Sequence, residues 1–154
     1  MVMALMQTDQ AAKAKEILDQ RLSVKPDDYL LLYALGEMQD RIGAPPGSPE
    51  EARARKALER SIELEPTMYT THLALGRMLL RSGEVDRAIA ELERALELNP
   101  DDLSPAYTLS TAYRRKGNKA KAEELQAKFE KFKAEDRDRY MNVQILRLLR
   151  EGEK

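Results

Sequence analysis

Few side chains in this 154-residue sequence could do chemistry on a substrate. His72 is the only histidine and there is no cysteine, so neither a nucleophile–base pair nor a transition-metal site is predicted. The adjacent pairs Asp101–Asp102 and Glu123–Glu124 diverge on a helix or loop, which is typical of solvated charges rather than of a general acid–base pair. The glycines stand singly, so no phosphate-binding loop is predicted. We therefore expect a non-catalytic protein without a cofactor or metal.

The spacing of the arginines gives a clearer indication of function than these residues do. Arg77 and Arg81 lie four residues apart, one turn along a helix, and Arg114 and Arg115 follow on a later helix of the same kind. Guanidinium groups hold carboxylates with paired hydrogen bonds, so the pattern indicates a surface for an acidic segment or a free carboxyl end. An ordinary charged helix surface explains the same residues, and the sequence leaves both interpretations open.

The composition limits the fold class and the partner. Charged residues make up 34% of the chain and aromatic residues 5%, which is typical of an alanine- and leucine-rich helical protein. The formal net charge of −1 disfavours nucleic acid or an anionic membrane as the main partner. No apolar run approaches the length of a membrane span, so no membrane insertion is expected. Without cysteines, the redox compartment cannot be inferred.

Residues 69–100 predict two amphipathic helices joined by a tight turn. Leucines recur at helical spacing in the first half, and alanines and leucines do so in the second. Gly83 is expected to end the first helix. Gly76 lies inside that helix, where glycine costs about 1 kcal/mol relative to alanine, so a close contact with Ala88 of the second helix is expected. Glu91 is expected on the exposed side of the second helix.

The hairpin repeats with a period of 34 residues, because Ala54, Ala88 and Ala122 are evenly spaced and Gly83 and Gly117 are separated by the same interval. The order of landmark residues resembles the tetratricopeptide repeat. The matching residues of the central unit are His72, Leu75, Gly76, Leu79, Gly83, Ala88, Leu92, Ala95 and Pro100. The resemblance implies an all-α fold, a right-handed superhelical solenoid of antiparallel helix pairs, with His72 packed between helices.

The landmarks divide the chain, taken as a single domain, into five segments. Residues 1–28 match the end of a truncated repeat, and residues 29–68 match a repeat with six residues inserted in its turn. Two further repeats occupy residues 69–102 and 103–134. Residues 135–154 contain a helix with an apolar stripe, which is expected to cap the last hairpin. A dimerisation helix or a membrane-surface helix is the alternative.

The inserted turn, residues 44–49, is rich in proline and glycine, which is typical of a surface loop. Ser48 is expected to cap the next helix and Pro49 to lie in its first turn. By the same signals Ser104 is expected to cap the first helix of the last repeat. A partner-contacting loop and a tolerated insertion both explain the insert, and the second is favoured because added loop length costs little free energy.

The resemblance also implies a binding groove, because in tetratricopeptide proteins the first helix of each hairpin lines a concave surface that holds a peptide. Matching the units places these residues in the groove: Tyr33, Glu37, Asp40, Arg41, Thr70, Leu73, Arg77, Leu80, Arg81, Tyr107, Thr111, Arg114 and Arg115. Some family members grip chaperone tails with lysine and asparagine. The expected asparagine positions hold Ala34 or Glu37 here, so that activity is not predicted.

We therefore predict a non-catalytic scaffold for a protein or peptide partner, and an acidic segment is one candidate ligand. The alternative is self-assembly into a homo-oligomer through the repeat ends or the terminal helix. Met3, Leu5 and Met6 would lie at an open N-terminal end, and exposed apolar groups of this kind favour weak self-association.

Overall fold

The computed structural model describes the backbone of residues 11–151 and the side chains of residues 12–137. Within this part of the chain there are seven α-helices and no strand. The helices are α1 (Ala11–Val24), α2 (Tyr29–Ile42), α3 (Pro49–Leu64), α4 (Tyr69–Arg81), α5 (Val85–Leu98), α6 (Ser104–Arg115) and α7 (Lys119–Glu151). The predicted all-α class is confirmed. Met3, Leu5 and Met6 lie outside the described residues.

The helices pair as hairpins, α2 with α3, α4 with α5, and α6 with α7. Each hairpin packs against the next, and the first helices α2, α4 and α6 are neighbours along the stack. A glycine lies in the turn after each first helix, and the φ angles of Gly43, Gly83 and Gly117, which are 77°, 83° and 86°, lie in the left-handed region that favours glycine. The result is the predicted helical repeat solenoid.

A missing side chain lets the two helices of a hairpin approach closely. A Cβ added at Gly76 would lie 2.6 Å from Cγ of Leu92 and 3.4 Å from the carbonyl oxygen of Ala88. Gly36 faces Leu58 in the same way in the preceding hairpin. The expected close contact of Gly76 is therefore present, but its main neighbour is Leu92, with Ala88 contributing only backbone.

The inserted turn is anchored at its end. Ser48 caps α3 by accepting a hydrogen bond from the amide of Glu51 at 3.1 Å, and Pro49 occupies the first turn, as predicted. Glu51 in turn accepts from the amide of Gly47 at 2.9 Å. The prediction for Ser104 is wrong. Ser104 is already the first helical residue of α6, and its amide donates to the carboxylate of Asp102 at 2.9 Å instead.

The last helix differs from the expectation. Residues 119–151 form one continuous helix of 33 residues, so the predicted boundary between residues 134 and 135 does not exist. The physical reason is that no glycine or proline interrupts this stretch. Within the described chain α7 packs mainly against α6, and Lys121 near its start also donates to Glu93 of α5 at 2.9 Å. The side chains of the apolar stripe, Tyr140, Val143, Ile145, Leu146 and Leu149, lie outside the described residues.

The apolar core consists of two clusters that meet at α3. Ala57 of α3 belongs to the cluster built on α1 and α2, whereas Ala54 and Leu58 belong to the cluster that continues to α7. Leu58 and Leu92, which face the helix glycines, are fully buried. In the described part of the chain, no helix combines the length and apolarity needed to cross a membrane.

Candidate partner-binding groove

The groove residues predicted from the sequence fall into rows, because the first helices repeat the same register. Each row takes one residue from α2, one from α4 and one from α6. The rows are Tyr33, Leu73 and Tyr107; Glu37, Arg77 and Thr111; Asp40, Leu80 and Arg114; and Arg41, Arg81 and Arg115. Since α2 contacts α4 and α4 contacts α6, neighbouring members of a row come within reach of each other.

Two of the groove arginines are bound by carboxylates of the preceding repeat. Arg77 donates from Nη2 to Glu37 Oε2 at 2.7 Å and from Nε to Asp40 Oδ2 at 2.9 Å. Arg81 forms an ion pair with the other oxygen of Asp40. The side chains of Glu37 and Asp40 are only 14% and 6% exposed, so this network is largely shielded from water. The sequence predicts that Arg77 and Arg81 hold a ligand's carboxylate, but in the structure both guanidinium groups are already paired within the protein.

The other groove arginines have no carboxylate partner among the described side chains. Arg115 donates from Nη1 to the carbonyl oxygen of Leu80 at 2.6 Å, and Arg114 donates from Nη2 to Oε1 of Gln126 at 2.7 Å. Arg41 is exposed and makes no ion pair with any residue that the structure describes. Arg41, Arg114 and Arg115 thus carry positive charge that the groove itself does not neutralise.

The apolar groove residues behave differently from the expectation. Leu73 and Leu80 are buried in the core, so they offer little surface to a ligand. Their burial follows from stacking, because α6 of the next repeat packs on this side of α4. Tyr33 is half-buried, and this burial together with the nearby charge of Glu37 raises the pKa of its hydroxyl. Tyr107, in the last repeat, is 54% exposed.

The two threonines of the groove are half-buried. Thr111 donates from its hydroxyl to the carbonyl oxygen of Tyr107, one turn earlier in α6, at 3.3 Å. Thr70 lies at the start of α4. The candidate groove positions therefore present charged, aromatic and hydroxyl side chains.

The buried histidine has a partner that the sequence analysis missed. His72 is buried, with Nδ1 2.7 Å from Oε2 of Glu91 and Nε2 3.0 Å from the carbonyl oxygen of Pro66. Glu91 is half-buried and bonded, so the expectation of an exposed position is wrong. Burial alone would lower the pKa of His72, but the hydrogen bonds to Glu91 and Pro66 raise it above the ordinary value.

Comparison of equivalent positions could have found this pair. Where one hairpin has His72 and Glu91, the hairpin before it has Leu32 and Ala57, and the hairpin after it has Ala106 and Leu125. Those four side chains are buried and apolar. The pair is a polar exception within the core and holds the second helix and the preceding loop against α4. Among the described residues, no group of three histidines or carboxylates could hold a metal ion.

A family model described as tetratricopeptide repeat matches residues 50–112 and 79–140, which together span more than half of the chain. No curated protein matches the sequence significantly. A crystal structure of MamA resembles the fold with a TM-score of 0.76 and 22% identity, covering 89% of this chain and 77% of that chain. A MamA fragment from Desulfovibrio magneticus RS-1 gives 0.76 and 19%, covering 88% and 73%.

The third comparison is with a larger protein. A mutant O-GlcNAc transferase from Thermobaculum terrenum gives a TM-score of 0.65 and 27% identity, and the match covers 73% of this chain but 20% of the transferase. Only a small part of the transferase is therefore similar, and its activity does not follow from the match. What these structures have in common with the chain is the stack of antiparallel helix pairs.

Proposed function

The chain belongs to the tetratricopeptide repeat family, and from this premise we propose that it is a non-catalytic scaffold that binds a protein or peptide partner in its concave groove. The observation that carries the proposal is a set of three groove arginines that pair with no carboxylate of residues 12–137: Arg41, Arg114 and Arg115. They lie on the first helices of two different repeats, so a ligand that reaches all three would run along the groove.

The chemistry of the groove favours an acidic partner. It contains five arginines against two carboxylates, and Glu37 and Asp40 are already committed to Arg77 and Arg81. A hydrogen bond from guanidinium to a ligand carboxylate contributes roughly 1.5–3 kcal/mol when it is shielded from water, and much less when the groove stays wet. Tyr107 adds exposed aromatic surface for an apolar side chain of the ligand.

A selection from a displayed library of random extended peptides, with the whole chain as bait, tests this proposal. We expect the selected peptides to be enriched in Asp and Glu and to bind more weakly as salt is added. Arg41→Glu combined with Arg114→Glu should abolish binding while leaving the helical circular dichroism spectrum unchanged. Arg77→Glu is unsuitable, because it would break the ion network with Glu37 and Asp40.

Arg94→Glu is the matched control. Arg94 is an exposed arginine of α5 whose described ion pair is with Glu97 on the same helix. It should bind the selected peptides as the parent does. Selected peptides without acidic enrichment, or peptides held equally well by the Arg41→Glu, Arg114→Glu double variant, would show that the partner lies elsewhere.

Self-assembly is the second candidate function, favoured by a surface at the other end of the stack. A cleft of about 340 Å³ between α1 and α2 is lined by Val24 and Leu31 together with Gln20, Arg21, Lys25 and Asp28. Val24 is 78% exposed. Burying such apolar surface against a second copy would favour association. Light scattering over a wide range of protein concentration separates the candidates, since Val24→Glu should suppress any oligomer formed through this cleft.

A further inference from the structure

Side chains of α6 and α7 form one continuous surface at the open end of the last hairpin. The rings of Tyr107 and Phe129 lie 5.4 Å apart, and Lys133 Nζ lies 5.6 Å from the centre of the Phe129 ring. Two turns after Tyr107 in α6, Arg114 donates at 2.7 Å to Gln126, which lies one turn before Phe129 in α7. We call this surface the terminal face; it consists of Tyr107, Thr111, Arg114, Gln126, Phe129 and Lys133.

In the earlier repeats the corresponding positions are less exposed, and Tyr33, at the position of Tyr107, is half-buried. Leu73, at the position of Tyr107, is buried, and Ala95 and Ser61, at the position of Phe129, are completely buried. On the terminal face Tyr107 is 54% exposed, and no further helix of the described chain packs there. The terminal face is thus a helix-packing surface that retains an aromatic pair and lacks a covering helix among residues 11–151.

The charges of the terminal face indicate what kind of helix would cover it. Between α2 and α4, Glu37 and Asp40 receive Arg77 and Arg81, which are one turn apart on the incoming helix. On the terminal face the positions of Glu37 and Asp40 are taken by Thr111 and Arg114. The sign of the charge is reversed, with Lys133 adding a second cation. A covering helix therefore needs carboxylates, one turn apart, where α4 carries arginines.

A second copy of the chain does not meet this requirement. At the two positions that correspond to Arg77 and Arg81, α2 carries Glu37 and Arg41, and α6 carries Thr111 and Arg115. None of these helices has two carboxylates there. Pairing two terminal faces is also unfavourable, because it would bring Arg114 and Lys133 of one copy against the same cations of the other.

We infer that the terminal face binds an amphipathic helix of a different protein, which carries two carboxylates one turn apart beside an aliphatic or aromatic residue. Tyr107 and Phe129 provide the apolar anchor, since aromatic side chains bury a large apolar area and tyrosine and arginine are enriched among the residues that dominate interface binding energy. The inference rests on the proposed function and deepens it, because Tyr107, Thr111 and Arg114 belong to the groove. It adds three residues of α7 and specifies a helical ligand.

The test uses the full chain as bait for a displayed library of small three-helix proteins with one randomised helix face. We expect the selected helices to carry Asp or Glu at positions i and i+4, next to a large apolar residue. Phe129→Ala and Lys133→Glu should each weaken binding about tenfold or more. When the carboxylates of a selected helix are replaced by lysines, that helix should bind the Lys133→Glu variant more tightly than it binds the parent.

Ile42→Ala is the matched control, since Ile42 is as exposed as Tyr107, at 54%, but lies on α2. It should leave the affinity unchanged. Lys133 is exposed, and its described ion pair, with Glu130, has a separation of 3.9 Å, so Lys133→Glu should keep the fold even where Phe129→Ala does not. Circular dichroism and thermal unfolding check both variants.

The inference is overturned by a library that yields no helical binder, by selected helices without acidic positions, or by helices that bind Lys133→Glu as tightly as the parent. Self-association of the parent that disappears in Lys133→Glu would overturn the choice of occupant in favour of a second copy. Extended peptides from the groove selection distinguish the two proposals. If these peptides no longer bind the Arg41→Glu, Arg114→Glu variant but still bind Phe129→Ala and Lys133→Glu, the proposal of a binding groove is supported. The inference of a helix-binding terminal face is then contradicted.

Discussion

Arg77 and Glu37 occupy the same position in two successive repeats and form an ion pair with each other, with Arg77 Nη2 2.7 Å from Glu37 Oε2. Identical repeats would place like charges side by side at this position. The reversal from glutamate to arginine turns that repulsion into attraction between α2 and α4, and Asp40 adds two more contacts. The network therefore specifies which repeat stacks on which, in addition to shaping the groove.

Replacing Asp40 by Asn should destabilise the fold by about 1–3 kcal/mol, because two guanidinium groups lose a shielded carboxylate. The loss stays below that of a fully buried ion pair, since about a third of each arginine side chain is exposed. Urea unfolding measures the change. Asp19→Asn is the control, because Asp19 pairs with Arg53 at an exposed site and should change stability by less than about 0.5 kcal/mol. Equal effects of the two substitutions would contradict the prediction.

Ala88→Leu should cost about 1–3 kcal/mol, because the residue is completely buried where α5 meets α4 and the larger side chain would overpack the contact. Ala90→Leu adds the same side chain two residues later, at an exposed position of the same helix, and should be nearly neutral. Thermal unfolding of both variants provides the comparison. An Ala88→Leu protein that melts with the parent would show that the register of the hairpin is wrong.

Gly76→Ala should also destabilise the hairpin, even though alanine favours helices by about 1 kcal/mol over glycine. The new Cβ would lie 2.6 Å from Cγ of the fully buried Leu92 and force that side chain to move. Ser110→Ala is the control, since Ser110 has the same position in the last hairpin and already carries a Cβ. If denaturant unfolding ranked Gly76→Ala as more stable than the parent, the close approach of α4 and α5 would be refuted.

The His72–Glu91 pair should make stability depend on pH. The pKa of His72 is raised in the folded chain, so the folded state holds the ring proton more tightly than the unfolded state, whose histidine has a pKa of about 6.5. The contribution to stability is complete below the unfolded value and is lost as the pH rises through the folded pKa. Because His72 is the only histidine, its NMR titration is unambiguous.

The matched variant for this measurement is His72→Leu with Glu91→Ala, which copies Leu32 and Ala57 of the preceding hairpin. Between pH 6 and pH 9, the free energy of unfolding of the parent should fall relative to that of the double variant. The variant itself should remain well folded, since replacing a buried ion pair by apolar side chains is often neutral or stabilising. A folded-state pKa at or below about 6.5 would contradict the prediction.

The hairpins could be predicted because the signals that define them are local. Gly83 and Gly117 mark the turns, the alanines and leucines set the helix faces, and Ser48 with Pro49 starts α3. The continuity of α7 could also have been read from its lack of glycine and proline. The decay of the repeat pattern after Gly117 obscured it.

The contacts between repeats could not be predicted in the same way. Whether Leu73 faces a ligand or the core depends on how closely α6 stacks on α4, which no single hairpin specifies. Arg77 pairs with carboxylates that lie some forty residues earlier in the chain, and Arg115 donates to a backbone carbonyl oxygen of α4. The sequence places the candidate groove residues on the first helices, but which of their arginines already hold a carboxylate is decided by the stacking geometry.

The division of the core at α3 has a consequence for cooperativity. Each apolar cluster can be lost separately in a repeat protein, because neighbouring units are coupled only through their shared interface. The direct contact across this boundary includes the ion pairs from Glu37 and Asp40 of α2 to Arg77 and Arg81 of α4, beside the apolar packing of Gly36 on Leu58 of α3. Salt should weaken that coupling more than it weakens either cluster. At high ionic strength, the backbone amides of α2 should then exchange hydrogen faster than those of α4. The two clusters would unfold as separate units under these conditions.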